Sequence, residues 1–164
     1  MDLSKYSEED LLLSAIKSEV DSIEVYSRLA GMVKNFFLKD RLNFLAAEEE
    51  KHRTFLESLF VKKMPEKEIL LPERTPVPLP ELKIVSEDIL ISDVLGKAME
   101  AEMAAHDFYT KMADRFIDDP EIHRTLHYFA SMEIGHFKLL EVEKQKALDF
   151  EQYDQVWPMM HAGP

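Results

Sequence analysis

Cysteine is absent from the 164-residue chain. That excludes disulfides, thiolate metal sites, iron–sulfur clusters and a cysteine nucleophile, and leaves the compartment open. Glycine is scarce, at four residues. That is low for a turn-rich sandwich or barrel. No GxGxxG or GxxxxGK[ST] loop is present to cradle a phosphate, which sets aside the common α/β nucleotide-binding enzymes. Basic blocks are missing too: 20 Lys+Arg stand against 32 Asp+Glu, for a net charge of −12. Such a balance repels nucleic acid and anionic lipid, so no nucleic-acid partner is expected. No apolar run approaches the ~20 residues of a membrane span, and Met1-Asp2-Leu3-Ser4-Lys5-Tyr6-Ser7 has no basic and apolar leader pattern. The expectation is a soluble cytoplasmic protein without a membrane partner. HExxH and G-x-S-x-G, the marks of zincin proteases and serine hydrolases, are likewise missing.

What the chain does have is helical periodicity. Hydrophobic residues make up 46% and charged residues 32%, enough for a buried core. Apolar side chains recur at helical spacing over about 8–33, 36–61, 93–116 and 120–147. Ser7-Glu8-Glu9-Asp10 reads as a capping box. Ser92 or Asp93 is expected to cap the third helix, and Asp119-Pro120-Glu121 the fourth. Short turns near Asn35 and Asp118 make each helix pair antiparallel. Between the pairs, Pro65, Pro72, Pro76, Pro78 and Pro80 exclude a helix. A helix of ~25 residues is about 38 Å long, and the extended segment of about 63–91 can run that length. Ile69-Leu70-Leu71 and Leu82-Lys83-Ile84-Val85 predict that it packs as a crossover. The fold class is therefore all-α: two antiparallel helical hairpins joined by a long proline-rich crossover. The expected organisation is a bundle over 1–147 and a C-terminal tail, 148–164, that carries Trp157.

The two halves repeat. Glu19 and Glu102, Tyr26 and Tyr109, and Ala30 and Ala113 are each 83 residues apart, while Glu49 and Glu133, His52 and His136, and Leu56 and Leu140 are each 84 apart. The register holds within one residue across four helices, which marks an internally duplicated hairpin.

Four of these repeated residues are acids on apolar stripes. Helical neighbours lie at i±3, i±4 and i±7. They are Leu12, Ala15, Ile16 and Tyr26 for Glu19; Leu42, Leu45 and Leu56 for Glu49; Leu95, Ala98, Met99 and Tyr109 for Glu102; and Leu126, Phe129, Ala130 and Leu140 for Glu133. A lone acid in such a place is ordinarily a snorkelling edge residue or half of a salt bridge. Four at repeat-related positions fit neither, and Arg53 is the main basic residue near their faces. Burying an unpaired carboxylate costs several kcal/mol, so four could outweigh a domain's whole stability of ~5–15 kcal/mol. They must be protonated or neutralised by cations. Glu49 and Glu133 each begin a Glu-x-x-His, with His52 and His136 one turn on. A carboxylate oxygen and an imidazole nitrogen on one face can meet the same ion. Four glutamates balance two divalent cations, and oxygen–imidazole ligation suits iron or manganese, with zinc possible.

The set Glu19, Glu49, His52, Glu102, Glu133 and His136 resembles the ferritin-like di-iron carboxylate superfamily, in which two helices give one Glu each and two give a Glu-x-x-His. Within it, residues 8–147 look most like the rubrerythrin-type domains. The resemblance implies a ferritin-like four-helix bundle with two iron ions held by these six residues. It implies an oxidoreductase that reduces hydrogen peroxide or oxidises ferrous iron, with peroxide or dioxygen as the small-molecule substrate and a role in oxidative stress. Full rubrerythrins also carry a cysteine-ligated rubredoxin-like module. Lacking cysteine, this chain is expected to need a separate electron-donor protein, and a homodimer is expected. An extra rubrerythrin Glu falls here on Ala105, with His106 next to it. Bacterioferritin's haem-binding Met falls on Glu50, which argues against haem. Ferritin- or bacterioferritin-like iron storage and a non-catalytic metal-binding bundle are the alternatives.

Other features read more plainly. Tyr26 and Tyr109 lie on the site face and either hydrogen-bond to ligand carboxylates or pack as core. His123 and His127 have zinc-binding spacing but no third ligand on a compelling face, so they read as a solvated or partly packed pair. Phe36, Phe37, Phe44, Phe55, Phe108, Phe116 and Phe129 read as core.

Overall fold

The structure is a computed structural model that describes residues 2–73, 77, 79 and 90–156, with side chains to residue 152. Leu82-Lys83-Ile84-Val85, to which the sequence assigns a packing role, and Trp157 of the C-terminal tail lie outside the described residues. Among the described residues there are four helices: α1 (Glu8–Met32), α2 (Phe36–Lys63), α3 (Ile91–Arg115) and α4 (Pro120–Val156). Three begin as their sequences dictate. Ser7 and Asp10 form a reciprocal capping box on α1. The Asn35 side chain accepts from the Leu38 N–H on α2, and Asp119 Oδ1 accepts from the Ile122 N–H on α4.

The third helix begins differently. Its N-cap is Leu90, and neither Ser92 nor Asp93 caps it. Ser92 is buried. Its N–H and hydroxyl donate to the two Glu151 oxygens at 3.1 and 2.5 Å. A carboxylate from α4 therefore supplies the acceptor and the negative charge that a helix N-terminus favours. This is possible because α4 does not end near Ala147 but continues to Val156.

The packing follows the hairpins, with α1 against α2 and α3 against α4, and α2 also touching α4. The apolar interior is divided in two. One cluster gathers Leu12, Ile16, Leu56, Phe60, Phe108, Met112 and Leu126. The other gathers Val25, Leu29, Leu42, Leu45, Leu95, Ala98 and Leu140. Along α1 and α4 the chain passes from the first cluster to the second; along α2 and α3 it passes the other way. So α3 runs parallel to α2, as a lengthwise crossover requires. The crossover is packed at three of its described residues. Val77 is fully buried and its N–H donates to Ser14 Oγ, while Ile69 and Leu79 pack on the first cluster. Leu70 and Leu71 are exposed instead, at 72% and 38%.

Three further expectations for the core are corrected. Phe36, Phe37 and Phe44 are exposed, at 74%, 76% and 49%. Phe36 and Phe37 open α2, before its inward stripe starts at Leu38, and stack edge to face on each other. Phe108, Phe116 and Phe129 are buried, and Phe55 packs partly buried on the first cluster.

Candidate metal centre

Between the two apolar clusters lies a polar layer. Glu19, Glu49, His52, Glu102, Glu133 and His136 are all buried, none more than 4% exposed. Each helix contributes at the level where its stripe crosses the middle of the bundle. The six side chains fall into two overlapping groups: Glu19, Glu49, His52 and Glu133, and then Glu49, Glu102, Glu133 and His136. Within each group, one ligand atom per residue lies within 4.8 Å of all the others. Glu49 and Glu133 belong to both groups. The sequence places the six residues together; which two are shared emerges only from the geometry.

The atoms converge without pairing. His52 Nδ1 lies 3.1 Å from Glu49 Oε2 and 3.2 Å from Glu133 Oε1. His136 Nδ1 lies 3.0 Å from Glu49 Oε1 and 3.4 Å from Glu133 Oε2. Yet both Glu49 oxygens, Glu133 Oε1, His136 Nδ1 and both His52 ring nitrogens have no aligned hydrogen-bond partner. Buried polar atoms are ordinarily satisfied. Five of these six, all but the His52 Nε2 on the other edge of its ring, border one another and fit a cation, and the oxygen–imidazole donor set suits iron or manganese.

Electrostatics without a cation show the strain. Burial pushes the Glu19 carboxyl well above its usual range, and repulsion from Glu49 and Glu133 adds to it. Burial does the same to Glu102, again with repulsion from Glu49. Burial works against a charge on His52, but the Glu133 and Glu49 carboxylates overcome it and hold the ring up to about 9. His136 is raised in the same way, against burial, by Glu102, Glu133 and Glu49. Glu133 is the exception among the layer's shifted acids: burial would raise it, yet His136 and His52 bring it down to about 2. Protons thus occupy the layer where positive charge is needed.

Two hydroxyls complete the layer. The Tyr26 hydroxyl donates to Glu102 Oε1, and the Tyr109 hydroxyl donates to Glu19 Oε1. Each tyrosine thus reaches across to the acid of the other hairpin. Burial and the adjacent carboxylates raise both phenols, which keeps them protonated as donors. Phe129, whose sequence context reads only as core, also flanks the layer, with its ring 4.1 Å from that of His52.

Other candidates stand apart. Arg53 turns outward to Glu50 and Glu57. The His106 Nδ1 sits 2.7 Å from the Ala130 carbonyl, and His106 belongs to neither converging group. Glu143 is a buried acid that sequence reasoning passes over, and Lys146 pairs with it at 2.8 Å. None of the helices among the described residues is long and apolar enough to cross a membrane.

Comparison with known proteins agrees with this architecture. The solved structure of a hypothetical protein from Pyrococcus furiosus superposes with a TM-score of 0.81 at 35% identity, covering 91% of this chain and 95% of that one. No curated protein matches the chain. The rubrerythrin family profile matches residues 10–144, which takes in all six converging residues and both tyrosines. This four-helix chain, with its buried glutamate–histidine layer, belongs to the rubrerythrin family.

Proposed function

We propose that the protein binds two iron ions in the polar layer and acts as an oxidoreductase that reduces hydrogen peroxide or oxidises ferrous iron. The observation that carries this reading is the pair of overlapping four-residue groups that share Glu49 and Glu133. Carboxylates can bridge two cations, so the shared pair would hold both ions. Glu19 and His52 would complete one side, and Glu102 and His136 the other. Two ferrous ions together supply the two electrons that cleavage of a peroxide O–O bond to water consumes. The chain's own part is to hold and shield. Leu42, Leu45, Leu56, Leu95 and Leu140, each at most 1% exposed, lie in the clusters on either side of the layer and keep bulk water away. Tyr26 and Tyr109 orient Glu102 and Glu19, so that their second oxygens face the centre. With no cysteine in the chain, electrons come from a separate donor protein.

Metal analysis with stopped-flow absorbance tests the reading. The purified protein should carry two metal equivalents, and Glu49→Ala or Glu133→Ala should lose most of both. Peroxide should oxidise the ferrous-loaded protein far faster than free ferrous ion. Equal rates would leave a non-catalytic metal-binding bundle, and unchanged metal content in the variants would remove the ligand assignment. Size exclusion separates the storage reading: a cage elutes at many times the 19.1 kDa chain mass, the expected homodimer at about twice it.

A further inference from the structure

A second cluster of ligand-type nitrogens lies outside the polar layer. His123 and His127 are one turn apart on α4, and their ring centres are 4.6 Å apart with planes at 86°. His123 is half-buried and His127 exposed. The His123 Nδ1 lies 2.9 Å from the Ala113 carbonyl of α3. A carbonyl only accepts, so Nδ1 carries the proton and donates it, and Nε2 of the neutral ring is left with a free lone pair. Fixing one ring nitrogen by a carbonyl in this way orients a metal-binding imidazole and sets its tautomer. No such partner is needed on His127, whose ring turns to suit.

We infer that His123 and His127 form a separate surface site for one divalent transition-metal ion, with His123 bound through Nε2. The ring geometry supports it. An ion about 2.1 Å from each of two imidazole nitrogens sits roughly 3.2 Å from either ring's centre, so rings with centres up to about 6.4 Å apart can share it, and the observed 4.6 Å lies within that reach. Imidazole nitrogens bind nickel and copper tightly, because these two ions stand high in the divalent affinity order. Water fills the remaining positions on the solvent side. His127, the nearer of the two, is about 9 Å of helical rise from Glu133, and neither histidine belongs to the converging groups of the layer.

Equilibrium dialysis of tag-free protein against nickel(II) tests this. His127→Gln changes an exposed side chain and should bind one nickel ion fewer than the full-sequence protein, as should His123→Gln. Glu49→Ala should keep the surface ion, and copper(II) bound to that variant should show electron-spin coupling to two imidazole nitrogens that is lost when His127→Gln is added. A nickel count that His127→Gln leaves unchanged, zero included, overturns the site. Failure of the central metal reading shows differently, as equal counts for Glu49→Ala and the full-sequence protein.

Discussion

At the scale of single residues, the strongest constraint is that no atom in the polar layer is replaceable without consequence for its neighbour. The Tyr26 hydroxyl holds Glu102 across the hairpin boundary. Removing such a partner of a ligand typically costs 10–100-fold in metal affinity. Tyr26→Phe should therefore weaken binding of one ion by about 10–100-fold, measured by competition against a chromophoric chelator; affinity equal to that of the unaltered protein would reduce Tyr26 to a packing residue. The six converging residues are legible in the sequence because an acid on an apolar stripe is conspicuous, and a repeat makes it more so. The role of Phe129 is not legible, since a phenylalanine against a buried histidine has the same pattern as one against a leucine. Arg53 shows the opposite error: its spacing places it near the layer, but Glu50 and Glu57 offer it cheaper partners in water.

At the scale of elements, the least expected contact is the one that starts α3. Ser92 is an ordinary capping residue by type, yet here it is buried at the second position of the helix and serves as a donor to Glu151. Loss of a cap costs about 0.5–2 kcal/mol. Glu151→Ala should lower stability by about 1 kcal/mol in urea titration and speed amide exchange in the first turn of α3, with α1 unaffected. Ending the chain after Ala147 should do the same. The end of α4 is beyond reach of the apolar pattern because the contact that holds it to α3 there is polar, the Ser92–Glu151 pair, and leaves no apolar stripe to read. Phe36 and Phe37 misled for a related reason: hydrophobic composition at a helix start says nothing about which face is inward until Leu38, Leu42 and Leu45 set it.

For the whole molecule, the charged layer makes stability depend on pH and on metal in opposite senses. In metal-free protein, Glu19, Glu102, His52 and His136 are raised, so the folded state keeps protons that the unfolded chain releases. Their contribution is present at low pH and lost as pH rises, with His52 losing its share between its ordinary 6.5 and about 9. Glu133 is lowered, so its contribution is present above its ordinary 4.5 and lost as pH falls toward about 2. The two limits enclose a maximum on the mildly acidic side of neutrality. Denaturant titrations of chelator-treated protein should show stability falling from pH 6 to pH 9, by on the order of 3 kcal/mol from His52. Metal-loaded protein should show the reverse trend, because cations displace these protons and bind more tightly as pH rises. A flat profile without metal would contradict the charge pattern. The crossed tyrosines also bear on ancestry and engineering. Because each four-residue group takes three members from one hairpin and its fourth, with a tyrosine hydroxyl, from the other, a severed half should be chemically mute until it finds a complement, and two identical halves should suffice to rebuild a symmetric version of the site.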